Sequence, residues 1–179
     1  MDDINLMGER VKKRLKYCGE NVTIHPLAKI CKPEVVEIHD NCTIGDFVFI
    51  WGGEGVEIGK YSHLQVHTSI WGGGKATIGE YVSVGLNSVL LTAVYSHRDG
   101  KHMVDHVPEN LQAQTLFGHL HIRDDVYIGA NCTIMPVDIG KGAIIGAGAV
   151  VNETLSANGI YVGVPCRQIA IRPRVEVSE

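Results

Sequence analysis

IWGGEGVEIG at Ile50–Gly59 and IWGGGKATIG at Ile70–Gly79 repeat a tryptophan-glycine-glycine step at an offset of 20 residues. A fixed short offset marks stacked, nearly identical structural units. Working outward, a finer period of six emerges: CGENVT from Cys18, IHPLAK from Ile24, IHDNCT from Ile38 and IGDFVF from Ile44. It continues with IGKYSH from Ile58, LQVHTS from Leu64, IGEYVS from Ile78 and VGLNSV from Val84. An aliphatic residue stands first, glycine often second, and a small or β-branched residue fifth. The fifth positions read Val22, Ala28, Cys42, Val48, Ser62, Thr68, Ala76, Val82 and Ser88.

Every third side is eight residues long: ICKPEVVE from Ile30, IWGGEGVE from Ile50 and IWGGGKAT from Ile70. Two sides of six and one of eight make up the 20-residue repeat. After a gap the sixes return as IRDDVY at Ile122 and IGANCT at Ile128, then a five-residue IMPVD at Ile134, then IGKGAI at Ile139 and IGAGAV at Ile145. Alternation alone would permit β-hairpins. Paired inward positions every six residues instead describe a coil with three short flat sides and glycine-rich corners. One coil cannot bury its apolar stripe, so stability must come from stacking. The spacing therefore predicts an all-β chain: a parallel β-helix of triangular section, about six coils long. Coils start near 18, 38, 58, 78, 122 and 139, and Ile44, Leu64, Val84 and Ile128 stack in the core.

Composition narrows the function. The 179 residues carry 16 Lys+Arg against 20 Asp+Glu, a net charge of −4, which lacks the basic excess of a nucleic-acid binder. No apolar run approaches the roughly 20 residues that span a membrane. The opening MDDINLMGERVKKRLKY is charged and has no apolar signal core, so a cytoplasmic protein is expected. Five cysteines (Cys18, Cys31, Cys42, Cys132 and Cys166) with no C-x-x-C pair suit reduced thiols better than disulfides or zinc. The sequons at Asn21, Asn41, Asn131 and Asn152 then carry no glycan. Ile4, Met7, Val11 and Leu15 fall at helical spacing, so residues 1–17 are expected to form a short amphipathic helix capping the first coil.

The third side of the fourth coil begins LLTAVY at Leu90 and then fails to turn. Residues 96–121, SHRDGKHMVDHVPENLQAQTLFGHLH, intervene before the sixes resume at Ile122, and they hold five of the nine histidines. A structureless excursion of this length in a compact domain is usually functional or disordered.

The aliphatic-Gly-x-x-small-x sixes over residues 18–170 resemble the left-handed β-helix, hexapeptide-repeat acyltransferases, with residues 171–179 as a tail. The left hand comes from the resemblance; the usual rule for parallel crossovers favours the right. The resemblance implies a homotrimer with acetyl-CoA or another acyl-CoA as co-substrate, and a site shared between neighbouring prisms. His97, in SHRDG where the excursion leaves the coil, resembles that family's general base. Attack on a thioester needs a group to take the acceptor's proton, and an imidazole titrates near neutral pH. A backbone N–H near the same corner would hold the oxyanion. His102, His106, His119 and His121 read as solvated loop residues.

The stretch DDVYIGANCTIMP, with IGAGAVV and YVGVPCR, resembles the family's coenzyme A half. The resemblance places Tyr127, Ala130 and Ala147 along the pantetheine arm, and Asn152 and Arg167 toward the adenine and 3′-phosphate. A guanidinium fork suits phosphate. Glu153 stands where relatives commonly have lysine, leaving Lys141, Arg172 and Arg174 as substitutes. Tyr127 as an edge aromatic and Arg167 as a solvated charge are the plainer readings. On the acceptor side, Leu27, Phe47, His67, Asn87 and Asn131 form one outward row, with Gln65 two residues from His67. Gln65, His67 and Asn87 either hold a sugar, as in the family's galactoside-type members, or are merely solvated. Cys31, Trp51, Trp71 and Leu91 form another row, and its tryptophans either pack on a neighbouring subunit or wall the acceptor site.

The reading is thus acyl transfer, most simply acetyl transfer, to a hydroxyl or amine of a sugar or nucleotide-sugar. SHRDG also resembles the xenobiotic acetyltransferases that modify antibiotics. Two remoter readings are a zinc enzyme similar to γ-type carbonic anhydrase, drawing on His63, His67, His97 and His102, and a prism that only assembles partners. No metal is expected on the acyltransferase reading.

Overall fold

A computed structural model describes residues 6–173. The chain folds into a left-handed parallel β-helix with three flat faces. The first face stacks Tyr17–Cys18, Val36–Ile38, Gly55–Ile58, Lys75–Ile78, His119–Ile122 and Asp138–Ile139. The second stacks Thr23–Ile24, Thr43–Ile44, His63–Leu64, Ser83–Val84, Tyr127–Ile128, Ile144–Ile145 and Gly159–Val162. The third stacks Lys29–Cys31, Phe49–Trp51, Ser69–Trp71, Val89–Leu91, Thr133–Ile134 and Val150–Val151. The second face ends in an antiparallel strand, Arg167–Ile171.

Register follows the sequence period. Ile44 pairs with Leu64, Leu64 with Val84, and Val84 with Ile128, and all four are at most 1% exposed. The fifth-position residues fill the space between these rows and are buried too. Ser62 and Ser88, buried polar exceptions, are satisfied by backbone: Ser62 Oγ donates to Gly79 O at 2.8 Å and Ser88 Oγ to Gly129 O at 3.0 Å. These hydroxyls stitch adjacent coils at little desolvation cost. All five cysteines are free, and burial pushes the Cys42 and Cys132 thiols above their usual range.

Two corners are built on residues of positive φ. At the corner from first to second face stand Asn21, Asn41, Tyr61, Tyr81, Asp125 and Asn158; at the next stand Phe47, His67, Asn87 and Asn131. Side chains of each row stack: Asn21 on Asn41, Tyr61 on Tyr81 and Phe47 on His67. The sequence spacing sets Gln65, His67 and Asn87 outward on the second sides of their coils. His67 and Asn87 sit instead at a corner, with φ 63° and 57°, because the third-face strand begins only at Ser69 or Val89.

The amino-terminal segment differs from the expected helix. Gly8–Arg14 is a 3₁₀ helix, and Met7 makes an antiparallel bridge with Lys29 before it begins. The tighter winding lets Val11 cover the first coil, fully buried, while Glu9 Oε1 accepts from Ile24 N at 2.9 Å. Ile4 lies outside the described residues.

The excursion is also shorter than its histidines suggested. His119–Ile122 is a first-face strand pairing with Lys75–Ile78, so Leu120 and Ile122 point inward and His119 and His121 outward. His119 bonds Thr77 Oγ1 at 2.9 Å and its ring stacks on His121. The last half of an eight-residue side is simply completed after the excursion. Among the described residues, no helix is long and apolar enough to cross a membrane.

Candidate active site

The Trp-Gly step lies where the third face ends. Trp51 and Trp71 meet from adjacent coils with ring centroids 5.7 Å apart and planes tilted by 52°, and Trp71 is 52% exposed. One coil further on, Leu91 pairs with Trp71 and the chain departs as a hairpin, Ala93–Tyr95 against Thr115–Phe117. Buried Thr92 fixes the departure: its N–H donates to Trp71 O at 2.8 Å, and its Oγ1 accepts from Gly74 N at 3.1 Å.

That hairpin explains the glycines. Gly72 has φ +129°, and a Cβ there would lie 2.4 Å from Ala93 N. A Cβ on Gly73 would meet Phe117 Cε1 at 3.3 Å. The glycines let the hairpin lie directly on the coil below.

Between the tryptophans and the hairpin is a pocket of about 300 Å³, walled by Trp51, Trp71, Tyr95, Phe117 and Asp105. Asp105 Oδ1 accepts from Tyr95 OH at 2.6 Å and from Gln112 Nε2 at 3.1 Å. The bond to Asp105 holds the Tyr95 hydroxyl above the usual phenol range. Tyr95 and Asp105 carried no sequence signal, because only the hairpin brings residues ten apart face to face.

His97 stands two residues beyond Tyr95, exposed, on a turn that Gln114 clamps from both sides. Ser96 N donates to Gln114 O at 2.7 Å, and Gln114 N donates to Asp99 Oδ2 at 3.1 Å. Its imidazole has no hydrogen-bond partner among the described residues, leaving both ring nitrogens free for a ligand.

The other candidates lie elsewhere on the prism. Gln65 is exposed beside the corner where His67 stacks on Phe47 at 4.7 Å, and Asn87 Nδ2 donates to Asn131 Oδ1 at 2.7 Å. The same corner continues to Ala130 and Ala147, with Gly148 N donating to Ala130 O at 2.8 Å, and exposed Tyr127 flanks it on the second face. Polar acceptor candidates and coenzyme candidates thus share one edge. The Trp71 pocket and His97 are at the opposite end of the third face, and a single chain does not bring the two groups together.

Of the basic residues, Arg172 is spent on a corner of the prism: it bonds both carboxylate oxygens of Asp125 and the carbonyls of Asp125 and Gly142. Lys141 is 3.5 Å from Asp124. Arg167 is exposed near Asn152, with Nη1 3.2 Å from Glu153 Oε1. Arg174 lies outside the described residues. His63, His67, His97 and His102 do not converge, and among the described residues no three His, Cys, Asp or Glu side chains are grouped to hold an ion.

Comparison with known proteins follows the same outline. The family profile described as "Hexapeptide repeat of succinyl-transferase" matches residues 120–153. Over 161 residues the chain is 33% identical to dTDP-4-amino-4,6-dideoxy-D-glucose acyltransferase of Escherichia coli, covering 89% of this chain and 83% of that protein. A shorter match, 45% over 56 residues, joins it to a 2,3,4,5-tetrahydropyridine-2,6-dicarboxylate N-acetyltransferase of Staphylococcus aureus, 31% of this chain and 23% of that one. Among solved structures, the N-acyltransferase AntD of Bacillus cereus, in complex with dTDP and 3-hydroxybutyryl-CoA, superposes with a TM-score of 0.86 at 32% identity. That likeness covers 93% of this chain and 88% of AntD. A Vibrio cholerae hexapeptide-repeat acetyltransferase at 20% identity and TM-score 0.66 shares the fold.

Proposed function

The chain belongs to the hexapeptide-repeat acyltransferases, and from that premise we propose that it moves an acyl group from coenzyme A to the amino group of a nucleotide-linked deoxy sugar. The observation that carries this reading is a pocket lined by aromatic rings and one carboxylate, opening two residues from an exposed histidine. Support comes from the complexes of AntD, one of which holds dTDP-4-amino-4,6-dideoxyglucose and coenzyme A.

In this reading His97 takes a proton from the bound amine. The nitrogen is neutral because its ammonium has already released one proton to solvent. It attacks the thioester carbon as the imidazole takes this second proton, the carbonyl becomes an oxyanion, and collapse breaks the C–S bond. The departing sulfur takes the proton back from the imidazolium, so amide and free thiol are the products. Because His97 and the Tyr127–Ala130–Ala147 edge stand apart on one chain, a neighbouring prism supplies the second half of the site. A homotrimer closes three such clefts. Gln65, His67 and Asn87 face the acceptor from the neighbour's edge. The free cysteines and the two substrates suit the cytoplasm.

The protein assayed in its solution assembly tests this. Light scattering should give the mass of three chains, and thiol release from acetyl-CoA should require the amino-sugar nucleotide. A fully active monomer would refute the shared site, and thiol release indifferent to the acceptor would refute the reaction.

Arg167 is the candidate for the coenzyme's 3′-phosphate: its Nη1 donates to Cys166 O at 2.7 Å, and its charged partner Glu153 is exposed and exchangeable. Arg167→Ala should weaken coenzyme A by about 10-fold, as loss of a charge-assisted hydrogen bond does, and leave dephospho-coenzyme A unchanged. Calorimetry with the two ligands checks this, and equal loss for both removes Arg167 from the role.

A further inference from the structure

We infer that Asp105 makes the enzyme select an amine over a hydroxyl, by holding the acceptor's ammonium while the sugar ring packs on Trp71. The inference rests on the acyl-transfer reading above and deepens it by naming the side chain that tells the amine from a hydroxyl. Four observations lead there.

First, Asp105 is the sole charged side chain lining the pocket. Second, its two oxygens are not equivalent. Tyr95 and Gln112 both donate to Oδ1, whereas Oδ2 has no partner among the described residues. The carboxylate is oriented by one oxygen and left with the other to offer. Third, Trp51, Trp71 and Phe117 line the same pocket, with Tyr95 and small residues making up the rest of the wall. Rings beside a carboxylate are the chemistry that recognises an organic cation. Trp51 already draws one, with Lys32 Nζ 5.6 Å from its ring centroid. Fourth, about 300 Å³ is at the small end of ligand pockets and suits one sugar ring rather than a whole nucleotide.

Position completes the argument. Two peptide steps from Tyr95 to His97 span at most about 7 Å between Cα atoms, so the histidine's turn adjoins the residue that anchors Asp105. The roles stay separate. Pairing with a carboxylate favours the ammonium, which has no free pair and attacks only after losing a proton to solvent, so Asp105 binds and orients while His97 takes the second proton as the C–N bond forms. Removing the Asp105 charge should raise KM for the amino sugar without lowering kcat, the pattern of lost ground-state binding.

Asp105→Asn is the test, because the amide oxygen still accepts from Tyr95 and Gln112 and the loop keeps its bonds. Binding is measured by calorimetry with coenzyme A present, so that no acyl group turns over. The ligands are dTDP-4-amino-4,6-dideoxyglucose, the same nucleotide sugar bearing a hydroxyl in place of the amine, and dTDP. Wild type should prefer the amine. The variant should lose about 10- to 100-fold for the amine, the worth of a hydrogen bond to a charged group, and nothing for the other two. A wild type without preference, or a variant that loses all three ligands alike, overturns the inference. Should wild type bind none of the three, the nucleotide-sugar reading itself fails. Tryptophan fluorescence with methyl 4-amino-4-deoxyglucoside against methyl glucoside then decides for Asp105. A preference for the amine that the variant lacks upholds its role, and no preference ends it.

Discussion

His97→Ala is expected to lower turnover by about 10²–10⁴-fold, the usual loss when a positioned acid–base group is removed. The dissociation constant of coenzyme A should barely move, because in the shared site the Tyr127–Ala130–Ala147 edge proposed to hold it belongs to the neighbouring chain and is left intact. Stability should be unaffected: the imidazole is exposed and makes no hydrogen bond, while the turn is held by Gln114 through Ser96 and Asp99. His102→Ala and His106→Ala, on the outer part of the same loop, should change turnover far less. Stopped-flow detection of thiol release gives the rate and calorimetry the affinity. A His97→Ala enzyme with near-normal rates means another group takes the proton, and His67 of a neighbouring edge is then the next candidate.

The second large effect belongs to Gly72, which touches no substrate. Gly72→Val puts a β-branched residue at φ +129° with its Cβ 2.4 Å from Ala93 N. Backbone strain of this kind costs about 1–3 kcal/mol. For a domain of this size that lowers Tm by about 2–12 °C. The clash can be relieved only by lifting the hairpin, which carries Tyr95, Phe117 and the His97 turn. A displacement near 1 Å in a positioned group costs about 10²-fold in rate, so turnover should fall by that order. Far-UV circular dichroism should keep its shape, since rows such as Ile44–Leu64–Val84–Ile128 lie elsewhere. Unchanged melting and unchanged turnover together would mean that the ridge does not support the loop.

The acceptor and coenzyme candidates were legible to different degrees. Trp71 and His97 stood out because a regular pattern stops beside them. His119 and His121 looked like part of the same cluster only because the strand they occupy has no preceding hexad to announce it. Tyr95 and Asp105 left no trace, since their contact depends on how a hairpin folds back and not on any spacing. Arg172 looked like a spare cation, yet its guanidinium bonds both oxygens of Asp125 from 47 residues away.

What the sequence determined by itself is the coil: its period, its inward rows and the places where it turns. Each coil repeats the same few short-range choices, aliphatic, glycine and small residue, and burial enforces one register on them. Only the tertiary structure decided what lies between coils and beyond them. Gly8–Arg14 became a 3₁₀ cap because the first coil offers Ile24 N–H to Glu9 and a buried seat to Val11. The pocket exists because two tryptophans from different coils meet a hairpin whose residues are far from them along the chain. Contacts of that range are fixed by packing and hydrogen-bond satisfaction in three dimensions, and no local pattern in the chain records them.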